Sequence, residues 1–452
     1  MKIFLQKIFL FCFLTVLIWC SLRAQNPIVR DQFSADPTGR VFNGKVYVFP
    51  SHDILAEEGK GRPGWFCMAD YHVFSSENLT RWTDHGTIVS QNKVEWVDST
   101  TYSMWAPDCI ERNGKYYFYF PANKKVVGAN GRKGFGIGVA IADHPEGPYV
   151  PQKESIENVH GIDPNVFIDK DGQAYLYWSQ GNIFVAKLKE NMLELDSEPQ
   201  IIANLPEKGL KEGPFLFERN GIYYLTFPHV ENKIERLEYA IGENPMGPFK
   251  MTGVIMDESP MNCWTNHHSF INYNEQWYLF YHQNAYSPAF DKSRSICMDS
   301  LSFGADGSII KVVPSLRGVG LTKASEEIQI DRYTAISEKG VAIEFIDTLN
   351  TFEGWKSVLN GKGAWIQYNA VDFEKSLKKV QLKVKAQTVG IIEIHLDSID
   401  GPVVAKVEIP KTNDWTIVTA KTSKLSPGIH HLVVVSQDDA PVEIDWIQFV
   451  KR

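Results

Sequence analysis

Five stretches of the chain share one pattern of hydrophobic and polar positions. Each has a polar or acidic opening, a short hydrophobic run, a turn, and then an aromatic-rich run. They are ADPTGRVFNGKVYVFPS from Ala35, APDCIERNGKYYFYFPA from Ala106, IDPNVFIDKDGQAYLYWS from Ile162, EGPFLFERNGIYYLTFPH from Glu212 and NHHSFINYNEQWYLFYHQ from Asn266. The turns fall at Asn43-Gly44, Asn113-Gly114, Asp171-Gly172, Asn220-Gly221 and Asn274-Glu275. All but the last are dipeptides favoured in two-residue β-hairpin turns. Between them, SENLTRWTDHG, ADHPEGPYVPQ and GENPMGPFKMTG each read as a turn leading into a further strand.

Openings that recur every ~50–70 residues suit four-stranded sheets set radially, so the pattern predicts a five-bladed β-propeller over residues 25–320. A β-sandwich is the alternative for so many strands, and the matching openings favour the propeller. Ring closure is assigned to a strand from SLSFGADGSIIKVVP near residue 300. In a propeller the innermost strand of each blade begins near the central channel. Asp36, Asp108, Asp163, Glu212 and His267 or His268 should therefore meet at one mouth of it, and convergent polar groups from remote parts of a chain are what an active site needs.

Beyond Ala324 the character changes. SLRGVGLTKASEE reads as a linker, and strands such as VEIDWIQFV alternate, as in a sandwich. The chain is thus expected to be all-β: a propeller followed by a C-terminal β-sandwich (jelly-roll) domain over 325–452. Residues 1–24 are read apart from the fold. Lys2 and Lys7 precede the apolar run Ile8 to Trp19, and Ala24 offers a small residue before Gln25. That run is short for a membrane span, so a cleaved secretory signal peptide is expected and an integral membrane protein is not. Cys20 leaves a lipid-anchored surface form as the lesser option.

The 452 residues carry a formal net charge of −8. Loss of Lys2, Lys7 and Arg23 with the leader would make the remainder more acidic still, which disfavours nucleic acid as a partner. Twelve tryptophans and eighteen tyrosines suit both a β-rich fold and a ligand that stacks on rings, such as a sugar. Cys67, Cys109, Cys263 and Cys297 are too widely spaced for a zinc site; free buried thiols and a disulfide both remain open. Asn78-Leu79-Thr80 is a glycosylation sequon with meaning only in a glycosylating host.

With these motifs assembled, the chain resembles glycoside hydrolase family 43 over roughly residues 27–320. The resemblance rests on Ala35-Asp36-Pro37, Trp105-Ala106-Pro107-Asp108, Ile162-Asp163-Pro164, Glu212-Gly213-Pro214 and Asn266-His267-His268-Ser269. It implies an inverting hydrolase in which Asp36 is the general base, Glu212 the general acid and Asp163 the group that orients the acid and raises its pKa. Inversion needs a base to deprotonate water on one face of the sugar and a protonated carboxyl at the leaving oxygen, roughly 6.5–9.5 Å away. A nearby ionised aspartate raises the acid's pKa by like-charge repulsion. Asp108 follows its proline instead of preceding it and reads as structural. Trp105 belongs either to the core or to a sugar pocket. His267 matches a family histidine that often helps hold Ca2+; the alternative is a histidine satisfied by a strand backbone. Arg294 resembles a late family arginine near the substrate, against the plain reading of an exposed strand arginine.

The C-terminal segment resembles a family 6 carbohydrate-binding module through IQIDRYTA, GAWIQYNAVDF, IIEIHLDSIDGPVVAKVEIP, TNDWTIVTA and IDWIQF. By that resemblance Trp365 or Tyr368, and Trp415, would grip a sugar ring, while Asp331 and Asp445 would form a structural Ca2+ site. An asparagine usual before the final strand is replaced around Glu443, so the domain either binds sugar or only braces the propeller. The function implied is an exported α-L-arabinofuranosidase or β-xylosidase acting on plant polysaccharide or oligosaccharide. It would work as a monomer and need no cofactor for its chemistry. The alternatives are a retaining fructan-type propeller hydrolase and a non-catalytic glycan-binding propeller.

Overall fold

In this computed structural model, residues 25–56, 58–125 and 134–451 are described; the expected leader lies outside them. No α-helix occurs among these residues, and none is long and apolar enough to cross a membrane. The five hairpins become the inner strands of five antiparallel sheets, four with four strands and the last with three. Their opening strands are Ala35–Phe42, Asp108–Arg112, Ile162–Ile168, Phe215–Arg219 and Ser269–Tyr273. The intervening echoes supply outer strands Thr83–Ser90, Val150–Pro151 and Phe249–Met256.

Five apolar clusters fill the spaces between successive sheets and return to the start. Phe49 and Tyr71 meet Phe118 and Phe120 between the first and second sheets; Tyr119 and Ile137 meet Val166 and Leu176 between the second and third. Tyr177 meets Leu216 and Phe227 next, and Phe217 meets Phe270 after that. Phe280 and Ile296 close on Val48 and Phe74. Each aromatic pair adds about 0.5–1.5 kcal/mol beyond its buried area, so the wedge-shaped gaps explain the aromatic second strand of every hairpin. Asn274-Glu275 still turns tightly, with both residues at positive φ (52° and 65°), although glutamate lacks glycine's freedom there.

Polar clips join neighbouring sheets at their inner ends. The Thr38 hydroxyl donates to the Pro107 carbonyl at 2.7 Å, and that of Ser269 to the Pro37 carbonyl at 2.7 Å. Asp108 accepts from the Val166 N–H and from Arg40, each at 2.6 Å, and Asn165 accepts from the Leu216 N–H at 2.9 Å. Asp108 is therefore a structural clip between the first three sheets.

Ring closure differs from the expectation. The SLSFGADGSIIKVVP stretch folds back on itself through a Phe303–Ile309 bridge and places its Val312 N–H on the Ile255 carbonyl of the fourth sheet; the outermost strand of the last sheet is its third, Ser295–Leu301. The N-terminal stretch lies along it, with Ile28 N–H on the Ile296 carbonyl and Ser34 N–H on that of Arg294. A segment with no alternation of its own thus covers the open edge.

The C-terminal part packs two sheets over a core that includes Ile366, Tyr368, Val384, Ile394 and Ile447. One sheet holds Trp365–Phe373, Gly390–Leu396, Val403–Ile409 and Gly428–Ser436; the other holds Val341–Phe345, Trp355–Leu359, Lys379–Ala386, Thr416–Lys421 and Val442–Val450. The stretch read as a linker is not free: Thr322–Lys323 pairs in parallel with Trp365–Phe373, and Arg317 donates to the carbonyls of Asn369 and Ala370. Tyr286 stacks on Trp355 at 4.7 Å, and Arg332 donates to the Tyr286 hydroxyl at 2.8 Å. The sandwich is thereby tied to the loop after the last hairpin.

Candidate active site

Asp36, Asp163, Glu212 and His267, from four different sheets, line one recess of about 120 Å³ at the inner ends of the strands. Arg294 and Trp105 line it too, joined by Trp65, Phe66 and Trp264. Asp36 and Asp163 both hold the left-handed conformation, at φ 50° and 55°. For a residue with a Cβ this is a strained backbone that the surrounding structure must enforce. Gly213 sits at φ 53°, where a Cβ would stand 2.8 Å from His267 Nδ1, so the residue after Glu212 has to be glycine.

Asp36 is buried and heavily bonded. Arg294 donates to its two oxygens at 2.8 and 3.2 Å, and the Ser51 hydroxyl donates at 2.7 Å. Its own N–H donates to His282 Nδ1 at 3.1 Å, while His282 Nε2 donates to the Thr265 carbonyl at 2.9 Å, which fixes a neutral tautomer. Burial alone would raise the Asp36 pKa. Arg294, His282, His267 and the Ser51 hydrogen bond outweigh it and hold the carboxyl at about 2. Asp53, which the sequence did not mark, holds Arg294 from the other side, accepting from Nε at 2.9 Å and Nη2 at 2.9 Å. Arg294 is thus buried at the base of the recess, not exposed on a strand.

The opposite side is acidic without a cation in direct contact. Asp163 accepts the Gly213 N–H at 2.9 Å, which ties it to the residue following Glu212. Burial, then Glu212, then Asp36 push its pKa well up. Glu212 is partly open to the recess, and its pKa is raised by burial and by Asp36 against the opposing pull of Arg294 and a hydrogen bond from Glu235. One carboxyl is therefore held ionised and another held toward its protonated form across the same recess. His268, by contrast, is fully buried, with Nε2 2.6 Å from the Thr226 hydroxyl.

The recess has an aromatic wall. Phe66 stacks on Trp264 at 6.1 Å and meets Trp105 edge-on at 6.4 Å, while Arg62 lies 4.1 Å over the Trp65 ring. Rings of this kind present apolar faces to the C–H faces of a sugar. Trp65 and Phe66 come from the loop after the first hairpin. Nothing in local spacing marks them, since a loop tryptophan reads the same whether it points inward or out.

Of the sandwich residues, Tyr368 is fully buried and bonded to Gln25 Nε2 at 2.6 Å and to the Thr322 hydroxyl at 2.7 Å. That excludes it as a sugar platform. Trp365 and Trp415 are both partly exposed, but Trp365 opens a strand of one sheet while Trp415 precedes a strand of the other, and Lys383 Nζ stands 5.6 Å from the Trp415 ring. Both oxygens of Asp331 are buried without a hydrogen-bond donor, and Arg332 Nε is 3.8 Å away. Burial pushes the Asp331 pKa up to about 7, with Asp445 adding to the rise. Among the described residues, Cys67, Cys109, Cys263 and Cys297 are free and buried. Among the described residues three metal-ligating side chains meet at His52, Asp70 and His72. There Asp70 holds His52 at 2.8 Å and Asp84 holds His72 at 3.1 Å, and against the effect of burial Asp84 raises the His72 pKa. Imidazole–carboxylate pairs account for that cluster.

A carboxylate held ionised by an arginine and a second carboxyl whose pKa is raised, lining one aromatic recess at the mouth of a propeller, define the glycoside-cleaving class of sites. Residues 24–309 match the sequence profile of the glycosyl hydrolases family 43, and 334–451 match that of the carbohydrate binding module family 6. The chain belongs to glycoside hydrolase family 43 and is a glycoside hydrolase. It is 34% identical to xylosidase/arabinosidase 43A of Humicola insolens, over 64% of this chain and 99% of that one. It is 28% identical to the arabinoxylan arabinofuranohydrolase of Paenibacillus polymyxa, over 91% and 71%. Among solved structures, a family 43 β-xylosidase/α-arabinofuranosidase from a compost metagenome, bound to xylotriose in a calcium-free form, superposes with a TM-score of 0.56 at 32% identity. That match covers 64% of this chain and 97% of the other.

Proposed function

We propose that this protein is an exported, inverting hydrolase that removes arabinofuranosyl or xylosyl residues from plant hemicellulose or arabinan. The observation that carries this reading is the convergence of Asp36, Asp163 and Glu212 on one aromatic-walled recess, with Asp36 clamped by Arg294. Asp36, kept ionised by Arg294, takes a proton from a water on one face of the sugar. Glu212, kept toward its neutral form, gives its proton to the leaving oxygen on the other face. Asp163 is fastened to the Gly213 N–H, next in the chain to Glu212, and so helps to aim the acid; the like charge that opposes Glu212 ionisation is that of Asp36. The base ends protonated, the acid ends ionised, and the anomeric carbon inverts. Trp65, Phe66, Trp105 and Trp264 exclude water from the side of the ring and stack on it. The small recess and its aromatic wall favour one terminal sugar over an internal stretch of chain.

The test is proton NMR of hydrolysis of 4-nitrophenyl α-L-arabinofuranoside and β-D-xylopyranoside. The first-formed sugar should carry the inverted anomer, β for arabinose and α for xylose. Retention at that centre would overturn the mechanism, and no release from either substrate would overturn the substrate class.

Calcium divides between two places. His267 offers one neutral nitrogen, its pKa lowered to about 4 by burial despite Asp36, and Asp36 itself is committed to Arg294 and Ser51. His267 by itself therefore does not make a calcium site. Asp331 fits better, because a buried carboxylate with no hydrogen-bond donor is what a hard cation neutralises; Asp445, the second expected ligand, already pairs with Lys383 at 2.8 Å. Asp331's pKa is raised on folding, so its contribution to stability is full below about 4, its unfolded value, and is lost as the pH rises through about 7. Millimolar Ca2+ should therefore raise Tm at pH 8 by a few degrees and have little effect at pH 5. Asp331→Asn should abolish the difference, and a Ca2+ response that survives this substitution would place the ion elsewhere.

A further inference from the structure

One buried carboxyl beside the site has no role in the steps above. Glu235 opens the strand Glu235–Gly242 and is only 1% exposed. Its Oε2 accepts the Asn266 N–H at 2.6 Å. Its Oε1 is equally buried and meets no N–H or hydroxyl donor. What the Glu235 side chain does meet is that of Glu212, another carboxyl, within hydrogen-bonding reach. Two carboxylates cannot hydrogen-bond to each other, because an ionised carboxylate only accepts. One of the two must carry a proton on the shared side. Glu235 is the more deeply enclosed, and its other oxygen already has the N–H that a carbonyl-type oxygen would take.

We propose that Glu235 is a positioning residue that stays a neutral carboxylic acid and donates its Oε1 hydroxyl to Glu212. This rests on the assignment of Glu212 as the general acid. With Glu212 protonated, the bond from Glu235 engages the Glu212 oxygen turned away from the recess and leaves the acidic O–H facing the leaving oxygen. When Glu212 passes that proton to the departing aglycone, the same bond falls on a carboxylate and strengthens, since charge-assisted hydrogen bonds are the stronger kind. The Glu235 proton itself does not move. The donor thus stabilises the ionised product form of the acid, offsetting the burial and the Asp36 charge that hold Glu212 protonated. The charged and titratable groups around the pair are Asp163 and the Cys263 thiol beside Glu235, with Asp36 and Arg294 acting on Glu212. None of these supplies the donor that Glu235 provides.

Glu235→Ala and Glu235→Gln test this, compared with Glu212→Gln on two leaving groups, 4-nitrophenol and an alkyl or sugar alcohol. Glu235→Ala should lose about 10²-fold in kcat/KM on the alkyl or sugar glycoside and much less on the nitrophenyl one. The alkaline limb of its pH profile should move upward, because ionised Glu212 has lost its donor. Glu235→Gln, whose amide N–H replaces the O–H, should recover most of that loss and keep the wild-type alkaline limb. A Glu235→Gln limb that moves down would show that Glu235 is ionised in the native enzyme and overturn the proposal; this holds even if Glu235→Ala does not fold. A loss in Glu235→Ala equal on both leaving groups would reduce Glu235 to packing. If Glu212→Gln itself shows no leaving-group dependence, the assignment of Glu212 fails first.

Discussion

Asp36→Asn should lower kcat by roughly 10³–10⁴-fold, on arabinosyl and xylosyl substrates alike and whatever the leaving group. An amide cannot take the proton from water, and that proton is lost from the nucleophile regardless of what departs on the other face. KM should change little, because Trp65, Phe66, Trp105 and Trp264 still hold the ring. The fold should survive, since Arg294 keeps three hydrogen bonds to Asp53 when its bond to Asp36 weakens. The wild-type acid limb follows from the same contacts. A carboxyl held at about 2 stays ionised through the mildly acid range, and its contribution to stability is lost only as the pH falls through that value. Steady-state kinetics with a Tm measurement checks both points; a uniform drop in Tm and activity would mean that the substitution merely unfolds the protein.

Glu212→Gln should show the opposite signature, a loss that depends on the aglycone. For a sugar or alkyl leaving group, whose alkoxide is a strong base, kcat/KM should fall by about 10³-fold or more. For 2,4-dinitrophenol, which departs as a stable anion, the loss should be within about tenfold. The alkaline limb of the pH profile should also disappear, since it reports loss of the Glu212 proton. A series of aryl glycosides of graded leaving-group pKa measures this directly. A flat series would mean that Glu212 does not protonate the leaving oxygen.

Much of this was legible along the chain because it repeats. Asn-Gly and Asp-Gly turns between alternating runs have few conformations open to them, and five such hairpins cannot bury their aromatic strands except against one another. The openings at Asp36, Asp163, Glu212 and His267 then follow as points on one ring, and the structure does bring them to one recess. Less was legible where contact depends on remote segments. Asp53 is one more acid on a strand until Arg294 reaches it from the far end of the chain. Tyr368 looks like a sugar-stacking aromatic until Gln25 and Thr322 close over its hydroxyl. Glu235 carries no motif at all, and only the approach of Glu212 gives its second oxygen a neighbour to bond.

The sequence by itself therefore determined the hairpins, their number and the acidic residues at their lips, because turn chemistry and alternation are local and each copy supports the others. Tertiary structure alone decided which of those acids is charged, what closes the ring and which rings face the sugar. Ionisation inside a fold depends on burial and on partners hundreds of residues away, as Asp36 and Arg294 show, and no local pattern records which partners will meet.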